Sequence, residues 1–286
     1  MSMLQVATTR LTAAGIDTAT LDARLLLQHA LGVSSEALIA EPDRALSKVE
    51  QAKYEQLIAR REAREPLAYI TGMREFFGLN FFVTPDVLIP RPDSETLVEA
   101  VLERVTHHTS RITILDLGTG SGCLLLSLLQ AIPHATGVGV DASRAALAVA
   151  KRNAEALQLA DRAEFLESDW CSALGLKKYE IVVANPPYIV SDAVHALMPE
   201  VAQFEPVAAL DGGEDGLGSY REIARTLLPH VASGAWVAVE AGAGQAEAIA
   251  GIFAASGFKV EAIRHDLSGI ARCVLFKLAM NQDYQL

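Results

Sequence analysis

Four consecutive residues, Asn185, Pro186, Pro187 and Tyr188, end an apolar run, VVANPPYIV at 182–190. Val182, Val183 and Ala184 read as the last residues of a buried strand. Two prolines in a row have no backbone N–H to give, so no sheet continues through them. The Pro186 carbonyl is left over, and the Asn185 side-chain oxygen can converge with it. Two acceptors at a fixed separation suit an NH2 group with two hydrogens. Tyr188 offers a flat face to a planar group. A primary amide or an exocyclic amine meets all three conditions. An ordinary Asn-Pro turn would explain neither the second proline nor the aromatic.

A second group lies upstream. Asp116-Leu117-Gly118-Thr119-Gly120-Ser121-Gly122 follows one strand and opens a helix. Its glycines permit a sharp turn and close approach to a ligand. The spacing is G-x-G-x-G, not the G-x-G-x-x-G of dinucleotide binders, and a purely structural turn could use the same residues. Asp141 ends the next strand, about 20 residues on, where an acid can accept hydrogen bonds from ribose hydroxyls. Alone it could equally be a helix-start acid. Strand, glycine loop, helix, strand and acid together form the nucleoside-binding half of a doubly wound sheet. Asp169 and Trp170 end the third strand. The indole could cover one face of an adenine while Asp169 bonds its edge; a core anchor is the alternative for Trp170.

The elements that must position these residues follow from the pattern. From residue 112 onward ITILDLG, GVGVD, AEFLESD, YEIVVA and AWVAVE read as strands, with helices at 123–131, 143–157 and 245–256. The alternation predicts an α/β fold, a mostly parallel sheet with helices on both faces. FKVEAIRH and RCVLFKL are joined by too short a turn for a crossover, so that pair is antiparallel. Residues 1–75 read as a helical domain. Leu21, Leu25, Leu26 and Leu31 have helical spacing, Gly32 is a stop, and Ser47 with Glu50 matches a capping box. Tyr54, Leu57 and Ile58 extend an apolar stripe to Pro66, and RREARE at 60–65 reads as a solvated helix face. Residues 76–92, FFGLNFFVTPDVLIPRP, read as a hairpin closed by three prolines, connecting to a catalytic domain over 93–286.

Composition bounds the function. The 286 residues are 51% hydrophobic and 21% charged, with a net charge of -11. The balance is that of a globular chain and argues against non-specific binding to a nucleic acid backbone. Cys123, Cys171 and Cys273 are odd in number and lack a CxxC pair, so they read as buried thiols of a reducing cytoplasm. The histidines show no metal spacing, and the adjacent His107 and His108 read as surface residues. No signal peptide or membrane span is expected. DGGEDG at 211–216 lacks the 12-residue calcium loop and reads as a turn-rich loop.

With these motifs the chain resembles class I S-adenosylmethionine-dependent methyltransferases that modify amino or amide nitrogen. Asn-Pro-Pro-Tyr by itself marks only that wider class, shared with DNA adenine and RNA guanine methylases. PLAYITG, FFGLNFFVTPDVLIPRPDSE at 66–95, FEPVAALDGGEDGLGSYREI at 204–223 and DLSGIARCV at 266–274 narrow the resemblance to the HemK/PrmC family, the peptide chain release factor glutamine methyltransferases. After the fifth strand the chain reads Glu240-Ala241-Gly242, where some relatives carry histidine after the glutamate. The resemblance implies a Rossmann-like, seven-stranded mostly parallel sheet behind a small N-terminal helical domain. It implies S-adenosylmethionine held by Gly118, Thr119, Gly120, Ser121, Gly122, Asp141, Asp169, Trp170 and Asn185, with S-adenosylhomocysteine as product. It implies Asn185, Pro186 and Tyr188 as catalytic residues and Asn185–Tyr188 as substrate site, with no metal. The substrate would be the Gly-Gly-Gln glutamine of class 1 release factors, methylated at N5 in the cytoplasm without direct nucleic acid binding. A nucleic acid amino methylase and a non-catalytic cofactor-binding regulator are the competing readings. The first lacks a basic cluster, and the second would have no use for an amide clamp.

Overall fold

The computed structural model describes residues 3–40, 44–105 and 111–278; His107 and His108 lie outside them. The chain opens with helices α1 (Met3–Ala13), α2 (Ala19–Leu31), α3 (Ser35–Ala40), α4 (Lys48–Glu62) and α5 (Leu67–Thr71). Strands β1 (Met73–Phe76) and β2 (Leu79–Phe82) form a hairpin, followed by α6 (Glu95–Val105). Then come β3 (Ile112–Leu117), α7 (Cys123–Ala131), β4 (Ala135–Asp141), α8 (Arg144–Ala156), β5 (Ala163–Glu167) and β6 (Tyr179–Ala184). The rest is α9 (Pro199–Phe204), α10 (Gly218–Leu227), β7 (Val231–Glu240), α11 (Ala246–Ala255), β8 (Phe258–His265) and β9 (Ala271–Leu278).

Two compact units result. One gathers the chain up to Met73 with Met198–Phe204; the other holds Arg74–Leu197 and the chain from Glu205. In the first unit α2 ends at Gly32, whose left-handed φ of 65° turns its N–H back to the Gln28 carbonyl. Both halves of the capping box start α4, with Glu50 N–H donating to Ser47 Oγ and Ser47 N–H to Glu50 Oε2. Leu11, Ala23, Leu26, Tyr54 and Ile58 are buried together, and the Tyr54 hydroxyl donates to the Ala23 carbonyl at 3.0 Å.

Two expectations need correction here. Leu21 is 55% exposed; the buried stripe of α2 is Ala19, Ala23, Leu26, Leu27 and Ala30, which shares one helical face. Arg61, expected on a solvated face, is buried. Its Nε donates to Asp22 Oδ2 at 2.7 Å and its Nη1 to Glu200 Oε1 at 3.0 Å. Its partners lie on α2 and α9, far along the chain, and a local charge pattern does not contain them.

In the second unit, among the described residues, seven strands form one sheet in the order β5-β4-β3-β6-β7-β9-β8. β3, β4, β5, β6 and β7 run parallel, and β9 pairs antiparallel with both β7 and β8. The order reverses beside β3, and at such a switch point the two strand ends part and leave a crevice. Leu117 is paired with Ala184, so Gly118 and Asn185 leave neighbouring strand ends side by side. One apolar layer is closed by α10 and α11, the other by α6 and α7. The hairpin turns at Phe77 and Gly78, begins at Met73 rather than at residue 76, and buries Phe76 and Phe81 in the α6–α7 layer.

Candidate active site

At the switch point a cavity of about 460 Å³ opens. Its floor is the glycine loop, one wall is Asp141–Ser143 with Ser168–Trp170, and the opposite wall is Asn185 and Pro187. Residues 86–94 of the connecting segment, through Val87, Leu88, Arg91 and Ser94, close another side. The volume is that of a small-molecule site.

The loop is held from within. Gly118, Gly120 and Gly122 have φ of 71°, 53° and 82°, a left-handed alternation that favours glycine. Thr119 N–H donates to the Val140 carbonyl, and the Thr119 hydroxyl to Asp116 Oδ2 at 2.6 Å. Asp116 is buried, which raises its carboxyl to about 7 against the pull of the Thr119 bond. Asp141 accepts from Gly120 N–H at 2.9 Å through Oδ2 and from Ser143 N–H at 2.8 Å through Oδ1. A carboxylate has about four acceptor sites, so two remain for a ligand. The hydroxyl of buried Ser121 makes no hydrogen bond of good geometry and lies beside the Cys123 thiol. The Ser121 carbonyl accepts from Asn153 Nδ2, and Asn153 also exchanges two hydrogen bonds with Phe82, tying β2 to the loop. Trp170 has φ of 46°, and its ring lies 3.6 Å from where a Cβ on Gly118 would sit. Trp170 is half-buried against the core and Asp169 is exposed, and both line the cavity.

At the other wall Asn185 Nδ2 donates to Ser94 Oγ at 3.1 Å, and no hydrogen bond among the described residues uses its Oδ1. Pro186 is buried, and no hydrogen bond of the described residues uses its carbonyl. Tyr188 is half-buried against the core, and its hydroxyl donates to Glu240 Oε1 at 3.3 Å. Burial first, then the neighbouring Glu240 charge, push the Tyr188 phenol up. Gln245 Nε2 donates to the Tyr188 carbonyl at 3.0 Å.

The predicted residues Gly118–Ser121, Asp141, Asp169, Trp170, Asn185 and Pro187 thus meet around one cavity; Gly122, expected there too, instead faces Leu126 and Ala150 at the start of α7, and Pro186 and Tyr188 are set behind the wall. Residues that the sequence motifs do not assign to the site hold them: Ser94, Glu240, Gln245, Asn153 and the pair Arg91–Glu205. Arg91 Nη2 donates to buried Glu205 Oε1 at 2.6 Å. The DGGEDG loop braces the clamp from behind. Ile189 bridges Asp211, Gly212 N–H donates to the Ile189 carbonyl, and the Ser191 hydroxyl donates to Asp211 Oδ1. Cys123, expected buried, is half-buried and lines the cavity; its thiol is raised to about 12 by burial. Cys171 and Cys273 are buried and free. Among the described residues no group of His, Cys, Asp and Glu could hold a metal, and no helix is long and apolar enough to cross a membrane.

The sheet order and the switch-point cavity define the fold of a class I S-adenosylmethionine-dependent methyltransferase. A methyltransferase from Pyrococcus furiosus shares this fold at 14% identity and a TM-score of 0.51, over 79% of this chain and 98% of that one. Residues 2–72 match the PrmC N-terminal domain and residues 92–203 the methyltransferase small domain. A release factor glutamine methyltransferase of Rhodospirillum rubrum is 46% identical over 93% of this chain and 81% of its own. One of Geobacter sulfurreducens is 44% identical over 91% and 90%. The chain belongs to the release factor glutamine methyltransferase family.

Proposed function

We propose that this enzyme transfers a methyl group from S-adenosylmethionine to the N5 nitrogen of the glutamine in the Gly-Gly-Gln motif of class 1 peptide chain release factors. One observation supports the site assignment: the Asn185 amide, bonded to Ser94 through Nδ2 with its Oδ1 unused, lines the same cavity as the glycine loop and Asp141. The family relatives, named for release factor glutamine, supply the substrate class.

Gly118–Gly122 admit the ligand close to the backbone, the free lone pairs of Asp141 take ribose hydroxyls, and Asp169 and Trp170 take the base. Bound S-adenosylmethionine supplies a methyl group activated by the positive charge on its sulfur. Asn185 Oδ1 and the Pro186 carbonyl accept the two N–H hydrogens of the substrate amide, and Tyr188 with Pro187 sets its plane. An amide nitrogen is a poor nucleophile because its lone pair is delocalised. Acceptors on both hydrogens favour charge at nitrogen as it turns tetrahedral, and fixed alignment lowers the barrier further. The N–C bond forms as the S–C bond breaks, and nitrogen releases one proton to solvent. The helical segment 1–75 and the hairpin 76–92 recognise the release factor, and the site of action is the cytoplasm.

Purified enzyme, methyl-labelled S-adenosylmethionine and a release factor test this reading, with DNA and RNA as alternative acceptors. Label confined to the Gly-Gly-Gln peptide in mass spectra is the expected result. Label on nucleic acid, or on no macromolecule, would replace it by one of the competing readings.

A further inference from the structure

Behind the Asn185–Tyr188 clamp stands a carboxylate that the reaction as described does not use. Glu240 ends β7 and is 1% exposed. Its Oε1 accepts from the Tyr188 hydroxyl, while Oε2 is buried with no partner in hydrogen-bonding geometry. The Ser94 hydroxyl lies beside the same carboxylate and favours its ionised form, against the larger effect of burial. Ser94 Oγ is also the acceptor of the Asn185 amide. A buried carboxylate without full partners is costly and is retained where it does something a neutral residue cannot.

We propose that Glu240 is the positioning residue of the substrate clamp, one carboxylate that sets the orientation of both Asn185 and Tyr188. The inference rests on the function proposed above. Ionised Glu240 only accepts. It takes the Tyr188 proton on Oε1 and draws the proton of the neighbouring Ser94 hydroxyl toward the carboxylate. Ser94 then has lone pairs, not a proton, to offer Asn185. The amide must present its NH2 to Ser94 and its Oδ1 to the substrate. Protonated Glu240 becomes a donor on the Ser94 side. The Ser94 proton has then lost its carboxylate acceptor and turns to the Asn185 oxygen, which reverses the amide and points an NH2 at the NH2 of the substrate. Two donors face each other and the clamp fails.

Burial holds Glu240 at about 7, moderated by Ser94, the charge of Arg272 and the Tyr188 bond, and opposed by Asp93. Arg272 on β9 and Asp93 ahead of α6 form an ion pair at 2.8 Å. Facing the carboxylate from the other elements are the neutral Tyr220 on α10, whose hydroxyl donates to the Glu240 carbonyl, and the raised thiols of Cys123 on α7 and Cys273 on β9. The switch thus operates near neutral pH. Function and stability respond to it with opposite sign. The folded carboxyl lies above its unfolded value, so its contribution to stability is complete below about 4.5 and is lost as pH rises through about 7. The clamp needs the ionised form that the fold disfavours.

Glu240→Gln keeps the shape and fixes the neutral state. In the full-length enzyme its kcat on release factor should fall roughly ten- to a hundredfold at pH 8. The acid limb of the wild-type kcat profile should be gone. Affinity for S-adenosylhomocysteine, read by calorimetry, should stay within about threefold, since Glu240 does not line the cavity. The melting temperature of the variant relative to wild type should rise between pH 5 and pH 8. Ser94→Ala, a small change in case the first variant folds poorly, should lower kcat and leave the fold intact. Wild-type kcat in Glu240→Gln, or an unchanged acid limb in its residual activity, would overturn the proposal and leave the proposed function standing. A wild-type enzyme inactive on release factor would overturn both.

Discussion

A residue in this site works by the groups that leave it free. Asn185 gives an N–H to Ser94 and leaves Oδ1 for the substrate contact proposed above. Asn185→Ala removes the acceptor without touching the cofactor loop. Turnover should fall on the order of a hundredfold or more, the scale seen when one preorganised polar contact to a reacting group is lost. S-adenosylhomocysteine should still bind and the far-ultraviolet spectrum should not change; a folded variant with wild-type turnover would refute the role given to Asn185. Asp141 presents the opposite case. Two of its lone pairs already hold Gly120 and Ser143. Asp141→Ala removes loop support together with the proposed ribose contacts. Charged hydrogen bonds contribute about 1.5–3 kcal/mol each, so affinity for S-adenosylhomocysteine should drop roughly ten- to a hundredfold. Ribose contacts are alike in ground and transition states, so kcat at saturation should move less. Calorimetry beside single-turnover kinetics separates the two effects. Equal affinity would reduce Asp141 to a helix-start acid.

At the scale of elements, loops that look idle act as braces. The DGGEDG loop lies against the back of the clamp. A Cβ on Gly212 would come within 2.8 Å of both the Pro187 carbonyl oxygen and the Tyr188 Cα, all of it backbone that cannot swing aside. Gly212→Ala should therefore displace Pro187 and Tyr188, with a melting temperature lower by a few degrees, about the effect of 1–3 kcal/mol of overpacking. kcat should fall about tenfold or more while cofactor affinity holds. Normal kcat in this variant would show that the loop only fills space. Such bracing explains what the sequence could and could not yield. The glycine loop, Asp141, Trp170 and Asn185 were legible because each sits at a strand end, where pattern and position coincide. Ser94, Gln245 and Asn153 were not, because their meaning lies in partners 91, 57 and 71 residues away. Glu240 carried a usable sign: an acid that closes an apolar strand at the ligand end of the sheet, as Asp141 does. Arg61 carried none, since a mixed run of charge looks the same whether it faces water or Asp22.

At the scale of the whole molecule the chain leaves the second unit and returns to it. Met198–Phe204 groups with the N-terminal helices, although the residues on either side of it belong to the sheet unit. Within the first unit Glu200 accepts from Arg61 at 3.0 Å and from Arg64 at 2.6 Å. An amide clamp that accepts any planar NH2 cannot by itself choose one glutamine, so selection requires contacts remote from the chemistry. Those contacts are assigned here to the helical unit. A chain beginning at Gly72 should bind S-adenosylhomocysteine as tightly as the full chain, because the glycine loop, Asp141 and the cavity lie wholly in the second unit. Shortening also removes both partners of Glu200 and would leave its carboxylate uncompensated. The comparison is therefore made with Glu200→Gln in the shortened and in the full-length chain alike. kcat/KM on intact release factor should fall steeply in the shortened chain, by a hundredfold or more on the order expected when remote binding energy is lost. A short free peptide carrying Gly-Gly-Gln should be methylated at similar, low efficiency by both forms. If the shortened, folded enzyme methylated intact release factor as well as the full-length Glu200→Gln protein, the helical unit would not select the substrate, and selection would have to reside in the segments around the cavity.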